Sequence, residues 1–566
     1  MITASLTEGK LIVKTELSSE GTLVCQVPGA RYQRKTDSWE LPLTYPAFRQ
    51  LAGICGDRIM ELDHEPLRDW ADAQASYSRW SEVAKTAPGS SSRHGFMPHQ
   101  MQGIRFLRHQ RRAVLADEPG LGKTAQALMS ASYPALVLCP STVRQVWADE
   151  VAKWCQETPS TMTRVQVIGG TAAQRRKQIA TPADVYVIGY ESAVKHTRLA
   201  PFGSTKMTDD EKADKELNAL NFNTLIVDEA HNLASPAAKR TRAAWYLAGQ
   251  ADKVFALTGT PLRSKPSDLW SIMHLVHADE WPVKSKFVDR YATVRFNAWG
   301  QPVEESFRPD TKAELDALVA PRFLRRTKAE VLPNMPPKVE SVRRLDMANK
   351  QAAAYRQMKE TMLAEVADGS LLVAPNPAQR FLRLLQIASA TPLSVDEGAM
   401  EMGLPSNKAD AVLDLAAERA GLPTVMFSVS RRLSRLLGVQ LFKAGYSVGY
   451  VDGAAGAGER NRAVEAFQAG ELDWILCTYG AGGTGITLHR ADTMVRAQRP
   501  FSRVDDIQAA DRIHRMGQTA ESVQYIDLVS IGTAESRVLS ILKDKGELME
   551  QVCRDKDRMV ELLEAK

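Results

Sequence analysis

No two cysteines of this sequence form a C-x-x-C pair. The six of them, Cys25, Cys55, Cys139, Cys155, Cys477 and Cys553, are scattered. That argues against a zinc site or a disulfide framework and suits buried free thiols in a reducing compartment. No run of about 18 apolar residues exists to span a membrane, and the opening MITASLTEGKLIVKT lacks the apolar core of a signal peptide. The expectation is a cytoplasmic protein. Charge of one sign is scarce too: a net charge of +5 over 566 residues permits a polyanionic partner without announcing one, so any basic surface must be local. Apolar residues make up 44% and charged residues 25% of the chain, which argues against wholesale disorder. The length exceeds what one core can hold, so about three or four domains are expected.

Residues 1–70 predict a small α+β module. Short β-type runs at Lys10–Thr15, Thr22–Val27, Ser38–Leu43 and Arg58–Leu62 surround a helical pattern at Pro46–Cys55. A linker over 71–95 follows, ending in the Gly/Ser/Pro-rich stretch from Ala87 to His94. Over 96–335 the runs AVLA (113–116), ALVLC (135–139), VYVIG (185–189), TLIVD (224–228) and VFALT (254–258) alternate with helical patterns. Near-continuous apolar runs of this kind suit a parallel sheet covered on both faces. The charged stretch Met207–Leu217 reads as a surface insertion. A second region, 336–545, opens with helical segments at Gln351–Ala367 and Pro377–Ala388. It continues with TVMFS (424–428), SVGYVD (447–452), WILCT (474–478) and VQYIDLV (523–529). Residues 546–566 belong to a charged amphipathic helical pattern over Ala534–Ala565, and no internal repeat is visible. The fold class expected is α/β, with two parallel-sheet lobes, helical insertions and a small N-terminal domain.

Chemistry concentrates where strands meet turns. The run AVLA leads into Asp117-Glu-Pro-Gly-Leu-Gly-Lys-Thr124 and then into a helical pattern. Such a turn exposes backbone N–H groups of Gly120, Leu121 and Gly122 beside the positive end of a helix dipole, which is a phosphate cradle. Lys123 would reach the β- and γ-phosphates of ATP, and the Thr124 hydroxyl would bind Mg²⁺. The usual pattern has Gly six residues before the Lys, where this chain has Asp117. About a hundred residues on, TLIV leads into Asp228-Glu-Ala-His231. Open α/β sheets bind ligands at this strand edge. Asp228 would hold Mg²⁺, and Glu229 would orient or deprotonate an attacking water.

In this order the motifs resemble the Snf-two (Swi/Snf-type) family of superfamily 2 helicase-like ATPases, over residues 96 to 545. Met97-Pro-His-Gln100-Met-Gln-Gly103 looks like that family's adenine-recognising element, with Gln100 as the adenine contact. The family's phosphate loop reads D-E-x-G-x-G-K-T, which accommodates Asp117. Leu257-Thr-Gly-Thr-Pro-Leu262 is similar to the motif coupling hydrolysis to lobe movement. Phe323-Leu-Arg-Arg-Thr-Lys328 matches a signature of this branch. Thr478-Tyr-Gly-Ala-Gly-Gly-Thr-Gly485 looks like motif five, and Gln508-Ala-Ala-Asp-Arg512-Ile-His-Arg515-Met-Gly-Gln518 looks like motif six. The resemblance implies two RecA-like lobes, with Gly485 at the nucleotide and Arg512 and Arg515 as arginine fingers. The spacing i, i+4, i+7 of Gln508, Arg512 and Arg515 predicts one shared helix face, which a γ-phosphate would neutralise.

The resemblance further implies a DNA-dependent ATPase that translocates on duplex or forked DNA, and a monomer is expected. Ser141, Thr142 and Tyr190 in the first lobe, and Ser428 and Thr478 in the second, are candidate contacts to the DNA backbone. The same residues also suit helix caps and turns. The stretch from Val27 to Pro42 is similar to the HARP domain of annealing helicases. Its Arg31, Tyr32, Arg34, Lys35 and Trp39 set cations beside aromatics, as a branched or single-stranded DNA contact would. A hairpin with a basic turn and a buried Trp describes them equally. Two other functions remain open at this point: a strand-separating helicase, and a non-catalytic DNA-binding scaffold.

Overall fold

Alternation along the central strands builds the first lobe. Val114, Leu136, Leu225 and Val254 feed one buried cluster, while their successors Leu115, Val137, Ile226 and Phe255 feed another on the opposite face. A strand has a side-chain period of two, so a run that is apolar at every position must be covered twice. In the computed structural model, residues 2–539 are described except 8–9, 28, 56–59, 63–94, 156–162, 201–204, 262–264, 297–299, 333, 366–370, 375, 397–398, 483–485, 516 and 537. They form two compact units, Met1–Val331 and Leu332–Lys566.

The first unit holds a seven-stranded parallel sheet. Its spatial order is Phe323–Leu324, Arg112–Leu115, Lys253–Leu257, Thr224–Asp228, Ala135–Cys139, Val185–Gly189 and Val165–Ile168. Thr224–Asp228 is central, so the turns after residues 115, 228 and 257 open on one edge of neighbouring strands. The two short outer strands, Val165–Ile168 and Phe323–Leu324, are additions to the expected set. The Met207–Leu217 stretch lies at the surface as expected, with only Glu211 and Leu217 buried, and these two stitch it to the lobe. Glu211 is only 9% exposed, its carboxylate lies 3.3 Å from Lys239 and 3.4 Å from Arg242, and its carbonyl accepts from Leu199 and Ala200 N–H. Leu217 is fully buried.

Ahead of this lobe stands a five-stranded sheet in the order Arg31–Gln33, Ser38–Pro42, Lys10–Thr15, Ile2–Thr7 and Met60–Leu62. Helices Ser18–Val24 and Tyr45–Cys55 complete the module. The expected strand at Thr22–Val27 is instead the end of a helix. Its first turn is fixed by the Glu20 carboxylate, which accepts from Glu16 and Leu17 N–H at 3.0 Å each. The module is tied to the lobe. Gln50 Nε2 donates to the Tyr291 hydroxyl (2.7 Å), which donates to Glu314 Oε1 (2.7 Å), and Lys286 Nζ donates to the Cys25 carbonyl.

The second unit carries a six-stranded parallel sheet in the order Lys338–Leu345, Val523–Ser530, Thr493–Arg496, Thr424–Ser428, Trp474–Thr478 and Val448–Val451. Its helical preface is shorter than expected. Helix Asn349–Thr361 stops at Met362, which has φ 61°, and the chain turns into the hairpin Leu363–Glu365 with Leu371–Val373. A second hairpin, Thr391–Asp396 with Ala399–Gly403, follows helix Pro377–Ile387. Most of the helix expected over Ala534–Ala565 lies outside the described residues. Among the described residues no helix is long and apolar enough to cross a membrane.

Candidate active site

The loop from Asp117 to Gly122 leaves strand Arg112–Leu115 and enters helix Lys123–Ser130. Gly122 has φ +78°, and a Cβ there would stand 2.3 Å from Gln100 Nε2. Both the left-handed backbone and the close approach of Gln100 therefore require glycine. Gln100 is buried, accepts from Met97 N–H at 3.0 Å and points its amide at the Leu121 carbonyl, 3.5 Å away. His99 Nε2 lies 3.2 Å from the same carbonyl, and burial lowers the pKa of that imidazole, so the neutral ring donates there. Lys123 Nζ donates to the carbonyls of Asp117 (2.7 Å) and Glu118 (3.3 Å). Gly120, with φ +87°, and Thr124 are half-buried.

Asp117 is fully buried, which explains an acid where glycine is usual. Its carboxylate receives Arg326 Nε at 3.0 Å and Nη2 at 2.5 Å, a two-pronged pair. Arg326 also donates to the His99 carbonyl and, at 3.0 Å, to Gln126 Oε1. One guanidinium thus joins the helix carrying Gln100, the phosphate loop and the helix after it.

On the neighbouring strand edge, Asp228 Oδ2 accepts from Trp147 Nε1 (2.8 Å) and Oδ1 from Glu229 N–H (3.0 Å). Burial, then the adjacent Glu229 charge, pushes the Asp228 carboxyl up to about 6. Glu229 adopts φ 51°, ψ 51°, a strained state for a residue with a Cβ. Asn232 holds it there, donating N–H and Nδ2 to the Glu229 carbonyl at 2.9 and 3.0 Å. Glu229 Oε2 lies 3.3 Å from His231 Nδ1, which lies 3.2 Å from Thr258 Oγ1 and 3.5 Å from Thr260 Oγ1. The acidic turn and the Thr258-Gly-Thr260 turn therefore share one polar network.

Among the expected nucleic-acid contacts, Ser141 and Thr142 are exposed and Thr478 is half-buried. Tyr190 and Ser428 are corrected. Tyr190 is buried and donates its hydroxyl to the Asp228 carbonyl at 2.5 Å. Ser428 is fully buried and donates to the Ser430 carbonyl at 2.7 Å. Neither hydroxyl is presented to a backbone phosphate.

In the second unit the single helix expected through Gln508, Arg512 and Arg515 ends at Ala510. The chain turns there because the Arg512 carbonyl accepts from Leu488 N–H at 2.9 Å. Arg512 Nη1 donates to the Ile486 carbonyl (3.2 Å) and Arg515 Nη1 to Thr487 Oγ1 (2.8 Å). The two arginines share the loop that follows the glycine-rich stretch, not a helix face. Gly485 lies outside the described residues. Behind Gln508, Asp506 of the same helix joins a buried cluster. Arg499 pairs with Asp527 at 2.7 Å and Asp506 at 3.1 Å, and Arg496 with Asp506 at 2.9 Å.

The family model described as the SNF2-related domain matches residues 99–388, slightly more than half the chain. The chain belongs to this family. The helicase conserved C-terminal domain matches residues 407–517, which places both units of this SNF2-related protein within known domain types. Chromodomain-helicase-DNA-binding protein 1-like of Danio rerio is 26% identical over 495 residues, covering 81% of this chain and 44% of the relative. DNA annealing helicase and endonuclease ZRANB3 of Bos taurus is 27% identical over 463 residues (80% and 40%). Putative ATP-dependent helicase/translocase YwqA of Bacillus subtilis (strain 168) is 26% identical over 491 residues (82% and 49%). The chain spans less than half the length of each. The Sulfolobus solfataricus SWI2/SNF2 ATPase core in complex with dsDNA, a solved structure, is 24% identical with a TM-score of 0.37, covering 84% of this chain and 96% of that one.

Three residues of the SNF2-related site escaped the sequence reading in their roles. Trp147 carried no signal, because its carboxylate partner lies 81 positions away. Arg326 was visible only as part of a signature, and its partner lies 209 positions away. Tyr190 was noticed for its hydroxyl but assigned the wrong direction.

Proposed function

We propose that this SNF2-related protein is an ATP-dependent translocase on double-stranded DNA, whose movement remodels forks, anneals strands or displaces bound proteins. The observation that carries the reading is the meeting of the Asp117–Thr124 loop and the Asp228–Glu229 turn on one edge of the first sheet. On this reading Gln100 recognises adenine. The N–H groups of Gly120, Leu121 and Gly122, with Lys123, take the phosphates. Glu229 accepts the proton of the attacking water, and Arg512 and Arg515 supply charge to the γ-phosphate. Thr124 and Asp228 offer a hydroxyl and a carboxylate. An all-oxygen pair completed by water and phosphate is what Mg²⁺ takes, and each Asp228 carboxylate oxygen accepts one hydrogen bond from the protein and retains a lone pair for the ion. When bound, Mg²⁺ neutralises charge on the β- and γ-phosphates.

The exposed hydroxyls of Ser141 and Thr142, with Thr478, serve DNA backbone contact. Such contacts ignore base identity, as tracking requires. A relative named as a DNA annealing helicase supports the annealing form of the activity, and on this reading residues 1–70 are a HARP-like nucleic-acid-binding module. In that module Arg31, Tyr32, Arg34 and Lys35 are all exposed, and the Tyr32 ring lies 5.3 Å from that of Trp39. This is an aromatic pair edged by cations, suited to unpaired bases. Arg34→Ala with Lys35→Ala is expected to weaken binding to forked DNA by about tenfold and to lower the salt slope by about two. Fluorescence anisotropy at several salt concentrations reads both.

The function is tested by phosphate release with single-stranded, duplex, forked and RNA cofactors. Many-fold stimulation by duplex or forked DNA is expected. Full-rate turnover without nucleic acid, or stimulation by RNA alone, would sink the reading.

A further inference from the structure

Asp228 is held from two directions by aromatic donors, and both donors belong to segments that begin at the exposed strand edge. Ser141–Val143 is a single 3₁₀ turn that runs directly into helix Arg144–Trp154. One turn into that helix, Trp147, only 1% exposed, reaches the Asp228 carboxylate. The neighbouring strand Val185–Gly189 ends beside Ser141. The approach is so close that a Cβ on Gly189 would stand 2.3 Å from Ser141 Oγ. The next residue is Tyr190, whose hydroxyl holds the Asp228 carbonyl. The segment is also stiff: Arg144 donates Nε to the Ser141 carbonyl (3.1 Å) and Nη1 to the Ile168 carbonyl (2.6 Å). Packed, hydrogen-bonded groups therefore connect Ser141 to both the side chain and the backbone of Asp228, the physical form that coupling between two sites takes.

We propose that Trp147 and Tyr190 are positioning residues that link nucleic-acid engagement at Ser141 and Thr142 to the seating of Asp228, so that DNA raises hydrolysis by fixing the metal-binding carboxylate. The proposal rests on the reading of the chain as a DNA-stimulated ATPase and adds the route of stimulation. Neither aromatic residue touches nucleotide or DNA in this scheme. Each supplies one hydrogen bond whose geometry the DNA-bound edge controls. A carboxylate that these two hydrogen bonds hold more firmly while the edge is engaged gives slower turnover without DNA and faster turnover with it.

The test uses the full chain with Trp147→Phe and Tyr190→Phe, which remove one donor each and keep a ring in place. Three quantities are read: kcat with and without saturating blunt duplex, the Kd for that duplex, and the Kd for ADP with Mg²⁺ relative to ADP in chelator. Trp147→Phe is expected to cut the stimulation ratio by about tenfold and to weaken the Mg²⁺ preference several-fold. Duplex Kd stays within about twofold, because the substitution removes no DNA contact. Tyr190→Phe acts in the same direction with about a threefold loss, as a neutral hydrogen bond is weaker than one to a carboxylate. A stimulation ratio unchanged in both variants overturns the proposal. So does a parallel fall of both rates, which marks plain structural support of Asp228. If circular dichroism shows Trp147→Phe unfolded, Tyr190→Phe, one oxygen smaller than wild type, decides alone. A wild-type chain that turns over equally with and without DNA defeats the underlying functional reading, and that result is visible before any variant is made.

Discussion

Glu229→Gln is expected to lower the DNA-stimulated rate of ATP hydrolysis by about a thousandfold, the scale of a lost general base. Duplex binding should stay within about twofold. The substitution is close to isosteric, and the strained backbone of Glu229 does not depend on its carboxylate. Asn232 fixes that conformation through two hydrogen bonds to the main-chain carbonyl. The network through His231 to Thr258 and Thr260 begins at Glu229 Oε2, 3.3 Å from the His231 ring. A glutamine oxygen can still accept there. What disappears is the negative charge, and with it the capacity to take a proton from water. Removing that charge also relieves Asp228, whose carboxyl is held up in part by the Glu229 charge, so Mg²⁺–nucleotide binding is expected to hold or tighten. Phosphate release under saturating duplex, with nucleotide affinity measured separately, checks both halves. A variant retaining more than about a tenth of the wild-type rate removes Glu229 from the role of base.

How far this site was legible depends on the distance over which each residue acts. Lys123, Thr124, Asp228 and Glu229 sit at junctions whose meaning is local: a strand, a few residues, then a helix or turn. The central strands were equally plain, since Ala135–Cys139, Val185–Gly189 and Thr424–Ser428 are buried throughout and, apart from Thr424 and Ser428, carry no strongly polar side chain. Strands at the margins were not. Phe323–Leu324 is two residues long, and Lys338–Leu345 is half charged and mostly exposed, joining its sheet through backbone pairing with Val523–Ser530. Local β-propensity misled at Thr22–Val27, where a carboxylate two residues ahead caps a helix. Helical spacing misled at Gln508–Arg515. The three residues share a face only if the helix continues, and the hydrogen bond from Leu488 N–H to the Arg512 carbonyl lies in a different segment of chain. Trp147 shows the same limit at its strongest. No pattern around a buried helical tryptophan says that its N–H will meet an aspartate at the end of a strand 81 positions away.

Arg326 extends that argument to stability, and its replacement should give the largest loss of folding free energy in the first unit. Arg326→Leu alone leaves Asp117 charged in a site with no solvent exposure, and breaking a buried pair in this way costs about 3–5 kcal/mol. Asp117→Asn alone strands the guanidinium of Arg326, a residue only 8% exposed. The double variant removes both charges and is expected to recover much of the loss, with a coupling of about 2 kcal/mol or more. Unfolding midpoints of the four proteins measure that cycle, and additive losses would rule out the pair as a unit. Arg326→Lys should not rescue, because an ammonium cannot reproduce the two-pronged contact and also reach the His99 carbonyl and Gln126. The surroundings are built for the larger group. Gly103, in helix Pro98–Gln110, lies where a Cβ would sit 1.7 Å from Gln126 Oε1 and 2.9 Å from Arg326 Nη2. Because the same guanidinium ties the Gln100 helix to the phosphate loop, the double variant should regain stability while keeping a raised KM for ATP. That separation of folding from nucleotide binding is the result a purely structural ion pair would not give.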